Sequence, residues 1–180
     1  ISTDFIFDGS KDNPYIEDDQ PHPLSVYGKS KLYGEQQIQQ SGLEKYFIIR
    51  TSWLYGAGGN NFVETVIRLA KEREELNIVN DQHGTPTWTE DLALTVFALL
   101  NTDAYGVYHY SNEGECSWFD FAKQIVALAR EVETLKVESI LPITTDGYPL
   151  PAERPKYSAM SKKKLRELTG HSVPTWQESL

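Results

Sequence analysis

The chain has 180 residues and a mass of 20.5 kDa, with 39% hydrophobic and 24% charged residues, which is typical of a folded globular domain. Its formal net charge of −9, from 17 basic and 26 acidic residues, argues against a nucleic-acid partner or an anionic membrane surface. No apolar run approaches the roughly 18 residues of a membrane span, and the one cysteine, Cys116, excludes an internal disulfide, so a cytoplasmic location is predicted.

The first part of the chain is predicted to contain a strand, a helix and a second strand. Residues 1–7 alternate weakly, as in a strand already under way, and end at the turn signal Asp8-Gly9. Residues 25–40 favour a helix with Gly42 at its C-cap. The apolar run at residues 46–49 suits a strand covered on both faces. Because no element precedes the first strand, the chain is predicted to be a fragment of a larger fold.

The remaining elements continue this alternation. A glycine-rich loop at residues 56–61 precedes a helix whose apolar residues recur with helical spacing. Further strands are predicted at residues 76–79, 107–110 and 137–141. Thr89 and Ser117 are predicted to cap two further helices, and Ser161 to start a last one after a proline-rich loop at residues 149–155. Alternating strands and helices predict an α/β fold with parallel pairing.

The same patterns predict which side chains are buried. Leu92, Val96, Leu99 and Leu100 are expected on the inward face of one helix, and Leu165 and Leu168 inside the last one. The lysine run at residues 162–164 is predicted to be a solvated helix face, and the acidic run at residues 17–19 a solvated loop.

Tyr27 and Lys31 are the strongest candidates for chemistry. Residues four apart on a helix share a face, so the phenol and the ammonium are predicted to lie side by side. An ammonium about 4 Å away favours the phenolate by about 4 kcal/mol at an effective dielectric near 20. Such a tyrosine can exchange a proton near neutral pH. By spacing alone, an exposed helix pair is the commoner outcome, so the context decides.

Thr3 supplies that context, because it lies at the end of the first predicted strand. Ligands of open α/β sheets bind in the crevice beyond the carboxyl ends of the strands. The alternative is that residues 2–4 are turn residues whose side chains bond to the backbone. Together with Tyr27 and Lys31, Thr3 has the form of a carbonyl reduction site with a proton donor, a cation and an orienting hydroxyl.

Longer motifs resemble the extended short-chain dehydrogenase/reductase family. They lie at residues 2–9, 14–18 and 27–35. Within that family, three segments are similar to the dTDP-4-dehydrorhamnose reductases, at residues 50–56, 81–87 and 154–158. The resemblance covers essentially the whole chain, and these motifs together are much more specific than the Tyr/Lys pair.

The resemblance implies reduction of the 4-keto group of dTDP-4-dehydro-L-rhamnose to dTDP-L-rhamnose, with NADPH or NADH as cofactor, in the biosynthesis of cell-surface polysaccharides. It implies that Tyr27 donates the proton, that Lys31 lowers the phenol pKa and binds the nicotinamide ribose, and that Thr3 holds the substrate oxygen. Thr3 and Asp4 would contact the sugar nucleotide. Trp53 would pack on the sugar, although a core aromatic is the plainer interpretation.

Four further residues are weaker candidates for substrate binding. The glycine-rich loop meets a helix N-terminus, where backbone N–H groups and Asn61 could hold a diphosphate; a connector with Asn61 as helix cap is an equally good alternative. Gln82, Thr87 and Arg154 could complete the nucleotide pocket, with Arg154 suited to a bidentate phosphate contact. Arg154 could equally be a surface residue.

The resemblance also implies a division of the chain. Residues 1–52 and 88–112 would complete a Rossmann-like, doubly wound dinucleotide-binding domain. Residues 53–87 and 113–180 would form a smaller α/β substrate lobe, with the active site in the cleft between the two. The family's GxxGxxG cofactor turn is absent from these residues. The chain alone is therefore predicted to be inactive.

Two other functions stay open at this point. One is a non-catalytic regulatory subunit, similar to the β subunit of methionine adenosyltransferase. The other is a nucleotide-sugar epimerase or dehydratase of the same extended family. A homodimer is compatible with the resemblance, and some family members are associated with Mg²⁺, but the chain shows no metal-ligand spacing of its histidines and cysteine.

Overall fold

The computed structural model describes residues 1–149, 151–170 and 172–180, so Leu150 of the predicted proline-rich loop lies outside the described residues. Its strands are β1 (Ser2–Thr3), β2 (Phe47–Thr51), β3 (Leu54–Tyr55), β4 (Glu75–Val79), β5 (His83–Gly84), β6 (Thr87–Trp88), β7 (Gly106–His109), β8 (Cys116–Ser117) and β9 (Ser139–Ile143). Its α-helices are α1 (Val26–Gln40), α2 (Phe62–Glu72), α3 (Thr89–Leu100), α4 (Trp118–Val132) and α5 (Lys163–Thr169). Short 3₁₀ helices lie at Asp4–Ile6 and Thr145–Gly147.

Parallel pairing predominates among these strands. β2 lies between β1 and β7 and pairs in parallel with both, with Ser2 opposite Arg50 and Thr3 opposite Thr51. β3 pairs with β6 and β4 with β9, again in parallel, whereas β5 and β8 are antiparallel. The predicted α/β fold with parallel pairing is confirmed.

Local capping signals located two helices correctly. The Ser25 hydroxyl accepts a hydrogen bond from the Gly28 N–H (3.1 Å) at the start of α1. Gly42 follows the end of α1 with φ +80°, a left-handed conformation that favours glycine. At the start of α4, the Ser117 hydroxyl accepts from the Asp120 N–H and the Asp120 carboxylate accepts from the Ser117 N–H, which is the predicted capping box.

Three predicted boundaries were wrong. The strand over residues 1–7 ends at Thr3, because the Thr3 hydroxyl accepts from the Phe5 N–H and starts a 3₁₀ turn. Thr89 does not cap α3; it is the first helical residue, and the preceding cap residue, Trp88, makes no side-chain capping bond. The last helix begins at Lys163, two residues beyond Ser161.

Among the residues that the structure describes, apolar packing forms three clusters. The largest joins α2, α4, β4 and the C-terminal Trp176. The second joins β2, β7, α3 and α5. The third joins Ile6, Phe7, Tyr15 and Met160. Because Leu165 of α5 packs with Ile49 and Leu99 in the second cluster, α5 contacts the part of the chain predicted to be dinucleotide-binding. The predicted domain boundaries themselves stay a prediction.

Several burial predictions need correction. Leu100 is exposed because a helix turns about 100° per residue and its neighbour Leu99 already faces the core. Leu168 is 38% exposed, since the short α5 packs through Leu165. Lys162 is only 6% exposed and faces Glu113, so the lysine run is not one solvated face. Glu17 accepts a hydrogen bond from the His109 N–H (2.9 Å), so the acidic run is not wholly solvated.

None of the helices within the described ranges is long and apolar enough to cross a membrane.

Candidate active site

Helix α1 places Tyr27 and Lys31 against the N-terminal segment that carries Thr3. The Tyr27 ring is half exposed and meets the Phe5 ring edge-on, with centroids 6.1 Å apart. The Lys31 Nζ donates a hydrogen bond to the Ile1 carbonyl oxygen at 2.7 Å. Both side chains thus contact residues that flank Thr3. Tyr27 and Lys31 therefore lie on the face of α1 that packs against the segment containing Thr3.

Close approach at Gly28 makes this arrangement possible. A Cβ at Gly28 would lie 2.1 Å from the Phe5 carbonyl oxygen and 2.9 Å from the Cβ of Pro23. By contrast, a Cβ at Gly34 on the same helix would meet no atom within 4 Å. Glycine at position 28 therefore lets the first turn of α1 rest directly on the backbone of the 3₁₀ turn.

Thr3 and Asp4 form a buried polar pair at the end of β1. The Thr3 hydroxyl donates to Asp4 Oδ1 at 3.0 Å. Burial raises the pKa of Asp4 to about 6, opposed chiefly by hydrogen bonding from the Ser158 and Thr3 side chains. Asp4 can therefore change between accepting and donating hydrogen bonds in mildly acidic solution, and either form suits a hydroxyl-bearing ligand.

A cavity of about 1180 Å³ lies between α2 and β4 on one side and residues 145–149 and 151–156 on the other. Gln82 and Arg154 line it. Gln82 Nε2 donates to Thr145 Oγ1 at 3.0 Å, while Arg154 is exposed. Leu24, three residues before Tyr27, also lines the cavity, so the start of α1 lies near it. Thr3, Tyr27 and Lys31 are not among its lining residues.

Trp53 contacts the cavity wall indirectly, because it stacks on a tryptophan that lines the cavity. Its indole stacks on Trp118 with centroids 3.5 Å apart and planes 10° from parallel, and Trp118 lines the cavity. Trp53 has φ +44°, in a region that non-glycine residues seldom adopt. A Cβ at Gly84 would lie 2.8 Å from the Trp53 ring. Trp53 also packs against the largest apolar cluster, so the core and site interpretations are compatible.

Two predicted site residues make structural contacts instead. Asn61 Oδ1 accepts from the Glu64 N–H and Asn61 Nδ2 donates to the Gly56 carbonyl, so its side chain caps α2 and closes the preceding loop. Thr87 is completely buried, and its hydroxyl accepts a hydrogen bond from Thr51 Oγ1 at 3.4 Å. Substrate binding by either residue stays a prediction.

Sequence reasoning missed a buried polar network beneath α1. Arg50 Nη2 pairs with Glu35 Oε2 at 2.7 Å, and Arg50 Nη1 lies 3.3 Å from His109 Nε2. Burial and the Arg50 charge lower the pKa of His109 to about 3, which keeps the ring neutral. The available signals were an arginine within an apolar strand and Glu35 four residues after Lys31. Neither signal identifies the residue with which the buried charge is paired.

Within the described ranges, no group of three or more His, Cys, Asp and Glu side chains is placed to hold a metal ion.

Known proteins resemble the chain over nearly its whole length. The family described as RmlD substrate binding domain matches residues 1–180. A dTDP-4-dehydrorhamnose reductase of Burkholderia thailandensis is 43% identical over 188 residues, which cover 98% of this chain and 63% of the relative. The spore coat polysaccharide biosynthesis protein SpsK of Bacillus subtilis is 44% identical over 180 residues, covering 100% of this chain and 61% of the relative.

A solved structure shares the fold at comparable identity. The crystal structure of a dTDP-4-dehydrorhamnose reductase from Bacillus anthracis in complex with NADP has a TM-score of 0.90 and 47% identity. The match covers 99% of this chain and 61% of that one. The chain therefore spans about three fifths of the length of the proteins it resembles.

Proposed function

The chain belongs to the family of the RmlD substrate binding domain, and on that premise we propose that it acts in the NADPH- or NADH-dependent reduction of the 4-keto group of dTDP-4-dehydro-L-rhamnose to dTDP-L-rhamnose. The proposal rests on the contact of α1 with the end of β1, through which Tyr27 and Lys31 touch the segment that contains Thr3. Similarity to proteins named as dTDP-4-dehydrorhamnose reductases supports it. A cytoplasmic location, inferred from the lone Cys116, belongs to the same proposal.

The residues of α1 fit a nicotinamide cofactor at the ribose. An ammonium has three N–H donors, and Lys31 uses one of them on the Ile1 carbonyl, which leaves donors for ribose hydroxyls. The half-exposed Tyr27 ring is open to a ligand from the same side. When bound, the cofactor supplies the hydride that reduces the keto carbon.

Proton transfer is then the task of Tyr27. Its hydroxyl donates a proton to the alkoxide that develops on the substrate, as a positioned general acid. The Lys31 ammonium stabilises the negative charge left on the phenolate oxygen. The Thr3 hydroxyl, bonded to Asp4 here, rotates to donate to the substrate oxygen.

Recognition of the nucleotide sugar is proposed for the cavity. Arg154 offers an exposed guanidinium for the diphosphate, and Gln82 offers an amide. The stacked Trp53 and Trp118 present an aromatic wall for the sugar. Asp4 would accept or donate a hydrogen bond to a sugar hydroxyl. The Thr87 N–H donates to the Trp53 carbonyl oxygen at 3.2 Å, and Asn61 caps α2, whose first residue, Phe62, packs on Trp118, so both residues would support the wall.

The test uses the protein expressed from its complete coding sequence, with NADPH oxidation followed in the presence of the dTDP-4-keto sugar. Tyr27→Phe is expected to lower kcat by roughly 10²- to 10⁴-fold, because the general acid is lost. The matched control is Tyr33→Phe, which removes an exposed hydroxyl from the same helix and should leave kcat unchanged. A Tyr27→Phe variant with wild-type activity contradicts the assigned mechanism.

The same preparation separates the two other functions. Absence of reductase activity in the wild type, together with co-purification of a synthetase, favours a regulatory subunit. Tightly retained NAD⁺ with epimerisation or dehydration of a nucleotide sugar favours the third function. Release of dTDP-L-rhamnose with stoichiometric NADPH consumption supports the reductase.

A further inference from the structure

A buried ion pair joins α1 to the central sheet. Glu35 of α1 and Arg50 of β2 have only 3% and 5% of their side chains exposed, with Arg50 Nη2 2.7 Å from Glu35 Oε2. Arg50 Nε lies 3.1 Å from both carboxylate oxygens, so the contact has a defined direction as well as a distance. Arg50 Nη1 also donates to the Glu17 carbonyl oxygen at 3.2 Å, which holds the loop before α1.

The pair connects the two elements that carry the proposed chemistry. Glu35 lies four residues after Lys31 and eight after Tyr27, so the three side chains follow one face of α1. On the sheet, Arg50 is directly opposite Ser2, and the next register pair is Thr51 with Thr3. One ion pair therefore links the helix that bears Tyr27 and Lys31 to the strands that carry Thr3.

Two buried residues hold α1 against the neighbouring elements. Its only fully buried residues are Gly28 and Glu35. Gly28 rests on the Phe5 carbonyl at one end and Glu35 binds Arg50 further along, with Lys31 between them. Apolar contacts are non-directional and let a helix slide. Two neighbouring hydrogen bonds from a guanidinium to a carboxylate fix both the position and the rotation of the helix that carries the carboxylate.

Stability alone is a weak reason for such a pair. Removing two charges from water is costly, and well-packed apolar residues of similar volume often stabilise a fold as well or better. Proton transfer, in contrast, depends strongly on geometry, since a misplacement of about 1 Å can lower a rate by about 10²-fold.

We propose that Glu35 and Arg50 are positioning residues, which hold α1 so that Tyr27 and Lys31 keep their place beside Thr3. This inference rests on the proposed function, because it assigns the ion pair to the same reaction. Neither residue contacts the reacting atoms. They act through the helix.

The chain offers a second buried lysine or arginine for comparison. Lys162 is 6% exposed and its Nζ lies 3.5 Å from Glu113 Oε2, just before α5. Glu113 also binds Arg166 at 2.7 Å, so this cluster ties α5 to the segment before β8. A substitution of Lys162 perturbs a buried charge without touching α1 or β1.

The experiment compares Arg50→Met, the double variant Glu35→Leu with Arg50→Met, and Lys162→Met, all in the complete protein. Arg50→Met should lower Tm, because it leaves the Glu35 charge buried and unpaired. The double variant should recover most of that Tm, because no charge is then stranded. Its kcat should nevertheless stay about 10- to 100-fold below the wild type, with KM for the nucleotide sugar changed by less than about threefold.

Two readouts distinguish positioning from stability. The first is the division of the effect between kcat and KM, because a displaced α1 alters the transition state more than substrate binding. The second is the near-ultraviolet circular dichroism difference between each protein and its Tyr27→Phe counterpart, which reports the packing of the Tyr27 ring on Phe5 and should change in the double variant. Lys162→Met should lower Tm yet leave kcat, KM and the Tyr27 difference spectrum as in the wild type.

Wild-type kcat and an unchanged Tyr27 difference spectrum in the double variant overturn the inference and leave the pair a stability role only. An equal loss of kcat in Lys162→Met overturns it as well. If the double variant does not fold, Arg50→Lys decides, because it keeps the charge but loses the paired hydrogen bonds of the guanidinium; reduced kcat with an altered Tyr27 difference spectrum supports the inference, and unchanged values overturn it. Absence of reductase activity in the wild type overturns the proposed function instead, while the Tyr27 difference spectrum still tests the positioning.

Discussion

The two parts of the candidate site are built in opposite ways. On the α1 face, backbone and side-chain contacts are close: Gly28 rests on the Phe5 carbonyl, Lys31 binds the Ile1 carbonyl and Glu35 binds Arg50. The cavity is open, with a volume of about 1180 Å³ and much of its wall formed by residues 145–149 and 151–156, which lie outside the α-helices and strands. The difference suggests that reaction geometry is held by packed elements and recognition is left to loops, as is common in enzymes.

The two parts differ in how far their charges are shielded, although neither set of charges has a net sign. Arg50 and Glu35 neutralise each other below α1, shielded from water. Among the described residues, four basic and four acidic side chains line the open cavity, although the chain as a whole has a net charge of −9. These are Arg68, Arg73, Arg154, Lys156, Asp8, Asp81, Asp146 and Glu153. The cavity thus lacks the net negative charge of the rest of the chain, which would repel an anionic ligand.

Gly28→Ala should have the largest effect among the tests of this comparison. The added Cβ would lie 2.1 Å from the Phe5 carbonyl oxygen, so α1 must shift. We expect kcat to fall by about 10²-fold and the free energy of unfolding by about 1–3 kcal/mol, measured by NADPH oxidation and urea unfolding. Gly34→Ala is the control, because open space surrounds that position; it should keep kcat and gain up to about 1 kcal/mol of stability. Wild-type kcat in Gly28→Ala would show that α1 need not be held closely.

Arg154→Ala tests the cavity side. A lost charge-assisted hydrogen bond of about 1.5–3 kcal/mol predicts a rise in KM for the dTDP-sugar of about 10- to 100-fold, with kcat within about threefold. Steady-state kinetics on the complete protein measure both. Lys163→Ala removes an exposed cation from α5 and should change neither. If the variant instead has a lower kcat and an unchanged KM, Arg154 acts in the chemical step rather than in substrate binding.

The smallest expected effect concerns the pH dependence of the buried network. The pKa of His109 is lowered to about 3 in the folded protein, against about 6.5 in an unfolded chain. Between these values the unfolded chain binds more protons, so stability is complete above pH 6.5 and falls on acidification. Between pH 7 and pH 5 the loss from His109 is about 2 kcal/mol.

Urea unfolding at both pH values measures this loss. In His109→Gln the free energy of unfolding should depend less on pH between these values. Asp4 has the opposite sign, because its pKa is raised to about 6 in the folded state. The folded protein then binds more protons between about pH 6 and pH 4, so Asp4→Asn should make the acid loss steeper. An unchanged slope in His109→Gln would mean that another group governs the acid sensitivity.

Predictions that rest on neighbouring residues succeeded more often than those that need distant ones. The capping box of Ser117 with Asp120 and the cap at Ser25 depend on residues three apart, which the chain brings together by itself. The common face of Tyr27 and Lys31 is equally local. The prediction of a strand beyond Thr3 was wrong because the Thr3 hydroxyl accepts from a nearby N–H and turns the chain. The prediction that Lys162 is solvated was wrong because Glu113, distant in sequence, lies beside it.

Amino-acid order by itself determined the alternation of helices and parallel strands, the shared face of the tyrosine and the lysine on α1, and the motifs by which the family could be identified. Tertiary structure alone decided that Glu35 pairs with Arg50, that Thr87 is fully buried, and that Gln82 and Arg154 line one cavity. The physical reason is range. Periodicity and capping arise from contacts within a few residues, whereas burial and ion pairing depend on which distant segments meet when the chain folds.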